Sequence, residues 1–504
     1  MEIFTALAFV VTSPALLGWI VLAALVGMIV GAIPGLTAAA AIAMLLPLTY
    51  YMEPLSALAF LYVIGKSGRY GGSIAAILFN TPGTAASAAT QIDGYPLAQR
   101  GQSSKAMKVA TISSIIGDFT GDLLLIAGIG VIAAIALRLG PPELFAVYFA
   151  AFVVIGSVIG KSITRGLASA AMGVLLSVVG LDPITAESRF TFGIFELSGG
   201  IALVPVMIGI FVLGEVFFQL GNTKVALIHF DDADVSDART KNRLTWAEYR
   251  PCLPHVFRSS LIGAFIGMLP GLGSAIAAFV AYGEGKRRAK NPEKWGNGAL
   301  EGIAAPEAAN NAVSGPSMAP LLTLGIPGST IGAILVGTFL IHGIQVGPTL
   351  FVTSSELVYR LFAAGVIGIG CYGFIGYFGA ATVGRLILRV PMKVLYPIIF
   401  LTSFVAAYAS RGSLFDVWVM VVAGFVGWLM RKLDFNVAAL VISFVLARGA
   451  EEALRQSLRL SDNGMLIFVQ RPVALAFLLL GVAAIFFRAR ALNRQTTTSL
   501  SENA

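Results

Sequence analysis

The sequence predicts an all-α polytopic membrane protein with two inverted-topology repeats, holding about ten to fourteen transmembrane or re-entrant helices. Three observations predict it. The 504-residue chain is 57% hydrophobic and 12% charged, with a mean hydropathy of +0.85, where a soluble domain carries roughly 25% charged residues. Apolar stretches long enough to cross a bilayer recur from end to end; residues 3–52 hold no charge at all, and a span needs about 20 such residues. A set of Pro-Gly motifs in the first half returns, in order, in the second.

Taken in order, candidate spans fall at 14–33, 36–50, 54–66, 109–136, 143–160, 164–180 and 198–221, then at 257–284, 299–313, 317–341, 356–384, 392–410, 413–430, 434–447 and 472–488. Several are too short or too broken to cross alone. Glu2 is the one early charge and Lys66 the first basic residue, so no cleavable leader is expected. The longest polar interval, 222–256, carries Asp231, Asp232, Asp234, Asp237, Arg239, Lys241 and Arg243. It divides the chain into membrane half one (1–221) and membrane half two (257–490), and 491–504 reads as a disordered polar tail. Cys252 and Cys371, with the scattered His229, His255 and His342, form no metal or disulfide framework. The net charge of +8 fits Lys- and Arg-rich cytoplasmic loops rather than nucleic-acid binding. The sequence shows no nucleotide-binding loop, nucleophile elbow or metal-binding helix motif, so no cofactor is expected and any energy source is an ion gradient or a partner.

The repeat is carried by motifs in register. Gly31-Ala-Ile-Pro-Gly-Leu-Thr matches Gly267-Met-Leu-Pro-Gly-Leu-Gly at four of seven positions, with Pro34 and Pro270 offset by 236. Thr81-Pro82-Gly83-Thr84 resembles Ile326-Pro327-Gly328-Ser329 at an offset of 245, and Asp93-Gly94 pairs weakly with His342-Gly343 at 249. Charge sets the orientation. Between its two motifs, half one has no basic residue over 47–65, whereas half two has Lys286, Arg287, Arg288, Lys290 and Lys294. After the second motif the pattern swaps: Arg100, Lys105 and Lys108 in half one, no Lys or Arg over 342–359 in half two. Basic loops favour the cytoplasm, so the halves are expected upside down relative to one another, a recurring plan of secondary transporters.

Pro-Gly breaks inside apolar segments interrupt helices and survive at membrane depth only where protein or a wet cavity satisfies the backbone. A helix restarting after such a break offers free amides to a carboxylate, and the preceding carbonyls suit sodium. The breaks at Asn80, Thr81, Pro82, Gly83, Thr84 and Ser87 and at Pro327, Gly328, Ser329 and Thr330 are therefore the candidate substrate site. The candidate ion ligands are Asn80, Asn310, Asn311 and Ser314 with the backbone at Gly31, Pro34, Gly267 and Pro270; ordinary kinks and helix–helix hydrogen bonds are the plainer alternative. Asp118 and Asp122, four apart, share one helix face and are candidates for coupling, or line an aqueous funnel. Glu301 and Glu307 carry less weight. Lys66 and Arg69 either pair with an anionic substrate or, on the plainer reading, snorkel to the headgroups.

These motifs, together with Tyr70-Gly-Gly-Ser-Ile-Ala-Ala-Ile-Leu, Asp93-Gly-Tyr-Pro-Leu-Ala, Asp182-Pro, Arg189-Phe-Thr-Phe-Gly, Glu307-Ala-Ala-Asn-Asn-Ala and His342-Gly-Ile-Gln-Val-Gly-Pro, resemble the large permease subunit, TctA, of tripartite tricarboxylate transporters, over roughly residues 15–490. The resemblance implies a bacterial inner-membrane permease importing citrate-like di- or tricarboxylates, driven by a sodium or proton gradient. It implies two partners, a small TctB-like membrane subunit and a TctC-like periplasmic solute-binding protein. A channel-like anion pore, and an intramembrane enzyme using Asp118 with Asp122, are the rival classes.

Overall fold

A computed structural model describes residues 2–33, 36–158, 162–182, 185–221, 242–388 and 392–502. Its helices run α1 (Glu2–Thr12), α2 (Pro14–Ala32), α3 (Ala38–Leu45), α4 (Pro54–Phe79), α5 (Ser87–Leu97), α6 (Ser103–Ala136), α7 (Pro141–Val158), α8 (Ile163–Ser177), α9 (Leu203–Ile208) and α10 (Gly214–Gly221) in the first half. After α11 (Trp246–Tyr249), the second half has α12 (Leu253–Met268), α13 (Gly273–Arg287), α14 (Leu300–Ala312), α15 (Met318–Leu324), α16 (Thr330–Ile341), α17 (Leu350–Thr353) and α18 (Ser355–Leu388). The chain closes with α19 (Met392–Arg411), α20 (Leu414–Lys432), α21 (Val437–Arg459), α22 (Ile467–Gln470) and α23 (Pro472–Glu502). One two-residue hairpin, Gly180–Leu181 against Ser188–Arg189, is the sheet found among the described residues.

Six of the described helical segments are long and apolar enough to cross a membrane, and shorter apolar helices lie between them. Large apolar side chains stand exposed along α19, α20 and α23, among them Leu401, Trp418 and Leu479, which suits a lipid-facing surface. The helices at the centre are of another kind. α4 is buried almost throughout, and α14 is buried from Gly302 to Ala312. These two carry the polar groups.

Small residues bring the central helices close. A methyl on Gly27 would meet the Ile64 carbonyl, and one on Gly31 would lie 2.1 Å from the Gly68 carbonyl, so α2 lies backbone to backbone on α4. In the second half Gly263 meets Ala309 and Gly267 meets Val313, so α12 lies on α14 the same way. Gly117 against Ala308 seats α6 on α14, and Gly368 against Val63 seats α18 on α4.

Helix ends differ from the sequence expectation in identifiable ways. The span expected at 54–66 runs to Phe79: Lys66 and Arg69 do not end it, because both are buried inside the protein. The stretch 257–284 is two helices broken at Leu269–Leu272, and 317–341 is two helices broken at Gly325–Ser329. The segment read as ending at 447 continues to Arg459. The last helix is continuous through 491–502, where a disordered tail was expected; no Gly or Pro follows Gly481 to interrupt it. Residues 222–241 of the connector, and Pro34, lie outside the described residues. The end of the connector is anchored: Lys105 Nζ lies 2.7 Å from Glu248 Oε1, and Asn242 Nδ2 donates to the Gly101 carbonyl at 3.0 Å. That salt bridge, with a bond from the Thr245 amide, pulls the Glu248 carboxyl down to about 2.

Candidate functional site

Helix α4 carries Tyr62, Lys66, Arg69, Tyr70 and Ser73 into the centre of the fold. Lys66 is fully buried, so the snorkelling reading fails. A buried ammonium needs anionic partners, and α6 supplies them: Lys66 Nζ donates to Asp118 Oδ1 at 2.6 Å and to Asp122 Oδ1 at 2.9 Å. The Tyr372 hydroxyl of α18 donates to Asp118 Oδ2 at 3.1 Å, and Lys66 stands 4.9 Å from the centre of the Tyr62 ring. Asp118 and Asp122 therefore face protein, not an aqueous funnel.

Arg69, one turn further on, is 7% exposed, and no carboxylate of the described residues lies within ion-pair distance of it. Its Nη1 donates to the Asn310 carbonyl at 3.3 Å, and its Nε has no partner. It faces a cavity lined by Tyr62, Gly65, Ser314, Ser317, Ser329 and Gly332 among others. The cavity holds about 10 Å³, room for one water. A guanidinium without a counter-charge here shares a buried space with three serine hydroxyls, a donor set whose chemistry suits an anion.

Helix α14 carries a second polar cluster. Glu307 is fully buried and accepts hydrogen bonds from Ser73, Thr90 and, at 2.8 Å, Ser114. Asn311 Nδ2 donates to Ser114 Oγ at 2.9 Å and to the Glu307 carbonyl at 3.1 Å. Both side-chain polar atoms of Asn310, and Asn311 Oδ1, are buried without partners.

The expected substrate residues divide. Ser329 lines the cavity, and its Oγ caps α16 through the Gly332 amide at 3.1 Å. Thr330 opens α16, while Pro327 and Gly328 are buried, with the Gly328 carbonyl accepting from the Gly271 amide at 3.2 Å. Asn80, Thr81, Pro82, Gly83, Thr84 and Ser87 do not line this cavity. Asn80 is exposed, left-handed at φ 54° and bonded to Gln91; Thr81 Oγ1 is buried without a partner; Thr84 and Ser87 cap one another. Gly83 lies against Gly72 of α4 and the Gly31 carbonyl. Of the expected ion ligands, Ser314 lines the cavity, Asn310 and Asn311 stand beside it, and Gly31, Gly267 and Pro270 lie at the first breaks of their halves. The sequence reading favoured the plainer role for Lys66 and Arg69, gave Glu307 little weight, and missed Ser73, Thr90, Ser114 and Tyr372. A usable signal was present in Lys66 and Arg69 on one apolar segment matched by Asp118 and Asp122 on another, and in Glu307 as the lone charge between Glu301 and Glu356.

The two halves share detail beyond their motifs. α2 and α12 end 236 apart in matching extended caps, at Ile33 and Leu269. α4 and α15 end 245 apart in left-handed residues, Asn80 and Gly325, and Ser87 and Gly332 donate their amides to Thr84 and Ser329 at that same offset. The pairs Gly27–Ile64 and Gly31–Gly68 return as Gly263–Ala309 and Gly267–Val313. The third motif pair does not correspond. Asp93 is buried and accepts from the amides of Gly296, Gly298 and Ala299, whereas His342 is a partly exposed helix end.

Fold and site together define a multi-pass α-helical membrane protein with a charged, oxygen-rich centre, the architecture of a transporter. The chain belongs to the tripartite tricarboxylate transporter TctA family, whose model matches residues 17–442. It is 35% identical over 476 residues, 94% of this chain and 93% of the relative, to a 52.8 kDa protein of Agrobacterium vitis described as uncharacterized and placed in the TAR-I ttuC' 3' region. A second Agrobacterium vitis protein, from the TAR-II ttuC' 3' region, is 34% identical over 225 residues, 44% of this chain and 92% of that relative. No solved structure matches the chain.

Proposed function

We propose that this chain is the permease subunit of a bacterial inner-membrane importer for di- and tricarboxylates, driven by a monovalent-cation gradient. It would work with a small membrane subunit and a periplasmic binding protein, the partners that the family's tripartite name implies. Arg69 carries the reading: a buried guanidinium with an unused Nε, facing Ser314, Ser317 and Ser329, matches a carboxylate in charge and shape. The Ser329 end of α16 adds a helix N-terminus to the same wall. In this closed arrangement the cavity is too small for a tricarboxylate, so substrate entry requires the α15–α16 break to move away from α4.

The contacts repeated at 236 and 245 support two copies of one fold. Inversion is supported by Asp93 and Leu97: the segment after the second motif of half one packs on the end of α13 and the turn before α14, through Asp93 with Tyr282, Gly296, Gly298 and Ala299 and through Leu97 with Gly298. A parallel repeat would put those loops on opposite faces. The enzyme reading loses its acid–base pair, because Lys66 holds both Asp118 and Asp122.

The test is uptake of labelled citrate and four-carbon dicarboxylates by right-side-out vesicles carrying the complete system. Arg69→Gln is expected to lose at least about tenfold in kcat/KM, since removing one partner of a buried charge pair costs about 2–5 kcal/mol, and Arg69→Lys to recover part of it. Wild-type rates in Arg69→Gln would overturn the site. Flux that runs downhill under every ion condition would favour a channel.

A further inference from the structure

Buried carboxylates of this protein differ in what holds them. Asp118 and Asp122 are held by Lys66, Asp416 by Arg411, and Asp182 by Arg455 and Arg189. Asp93 is held by three backbone amides and Tyr282. An ammonium, a guanidinium or a backbone N–H can only donate, so the partners of those carboxylates cannot turn to accept. Glu307 is the exception among the described residues: every side chain bonded to its carboxylate, Ser73, Thr90 and Ser114, is a hydroxyl. A hydroxyl rotates. It donates to a bare carboxylate and turns a lone pair outward when a cation arrives.

We propose that Glu307 is the seat of the coupling cation, a proton or a sodium ion, with Ser73, Thr90 and Ser114 as its reversible cage. The proposal rests on the carboxylate-uptake reading above. A second observation supports it independently: Asn310 Oδ1 and Asn311 Oδ1, on the next turn of α14, are buried oxygens without partners. The position also explains coupling. Asn310 offers its carbonyl to Arg69, and Asn311 bridges Glu307 and Ser114, so the anion and cation sites share one turn of helix. At the 245 offset, Tyr62, Gly65 and Met318 of the anion cavity correspond to Glu307, Asn310 and Ser73. The same frame is thus basic on one side and acidic on the other.

The other titratable groups around Glu307 are engaged. From α4, Tyr70 bonds Thr111 and Lys66 holds α6's Asp118 and Asp122; from α18, Tyr372 bonds Asp118; from α5 and α13, Asp93 and Tyr282 bond one another. Arg69 of α4 faces the anion cavity, and α12 meets this part of α14 through uncharged Gly263.

The experiment compares wild type, Glu307→Gln and Glu307→Asp in the same vesicles, with a sodium gradient in one arm and a pH gradient in the other; the arm that drives wild type names the cation. In Glu307→Gln the accumulation ratio should fall to that of passive equilibration and should no longer respond to the gradient that drives wild type. Glu307→Asp should recover part of the accumulation. Wild-type accumulation by Glu307→Gln, or failure of Glu307→Asp to recover any of it, would overturn the proposal while leaving the reading of wild-type carboxylate uptake intact. A readout that needs no carboxylate is the infrared difference spectrum of the purified protein across sodium and pH titrations. One carboxyl band should vanish in Glu307→Gln, and retention of every band would equally overturn the assignment.

Discussion

Lys66 and Arg69 lie less than one turn apart on α4 and meet opposite surroundings. Lys66 has two carboxylates, and Arg69 has none. Stability follows from the first and function from the second. Lys66→Met leaves Asp118 and Asp122 buried without their cation, and breaking such a pair costs about 3–5 kcal/mol. The protein in detergent should melt well below wild type, and the combination Lys66→Met, Asp118→Asn, Asp122→Asn should recover most of the loss. A single variant that melts like wild type would show that the cluster is not a structural unit. The sequence displayed Asp118 and Asp122 on one helix face, because four-residue spacing is local. The sequence offered Lys66 and Arg69 alike as their cation, and only the packing of α4 on α6, which joins residues 52 apart, selects Lys66. Glu307 was undervalued for the same reason: its hydroxyl partners come from three other helices.

At the scale of elements, the broken helices depend on glycines where a neighbouring backbone leaves no room. A methyl at position 31 would lie 2.1 Å from the Gly68 carbonyl, and one at 83 would lie 2.1 Å from the Gly31 carbonyl, whereas Gly18 on the same α2 faces open space. Overpacking costs typically about 1–3 kcal/mol. Gly31→Ala and Gly83→Ala should therefore lower the melting temperature or abolish a monodisperse peak, and Gly18→Ala should do neither. Equal behaviour of the three would contradict the close contact of α2, α4 and the first break. The breaks themselves were legible, since Pro-Gly in an apolar run has few other uses. What they touch was not. Thr84 and Ser87 spend their polar groups on each other, so the first break does not mirror the cavity-lining role of Ser329 at the second.

For the whole molecule, the account requires two halves in opposite orientation. In a variant with Cys252 and Cys371 replaced by serine, Arg100→Cys and Asn291→Cys should react with an impermeant thiol reagent from the cytoplasmic side. Glu53→Cys and Gln345→Cys should react from the other side. A parallel arrangement would group position 100 with 345 instead. The swap of basic loops is the sequence argument for this orientation, and the packing of Asp93 on the 296–299 turn supports it. The most direct test of the central claim is an electron-microscopy map of the protein with citrate bound. The account predicts a carboxylate of the ligand within hydrogen-bond distance of the Arg69 guanidinium and of Ser329. Citrate bound elsewhere, with Arg69 still facing a closed cavity, would contradict it.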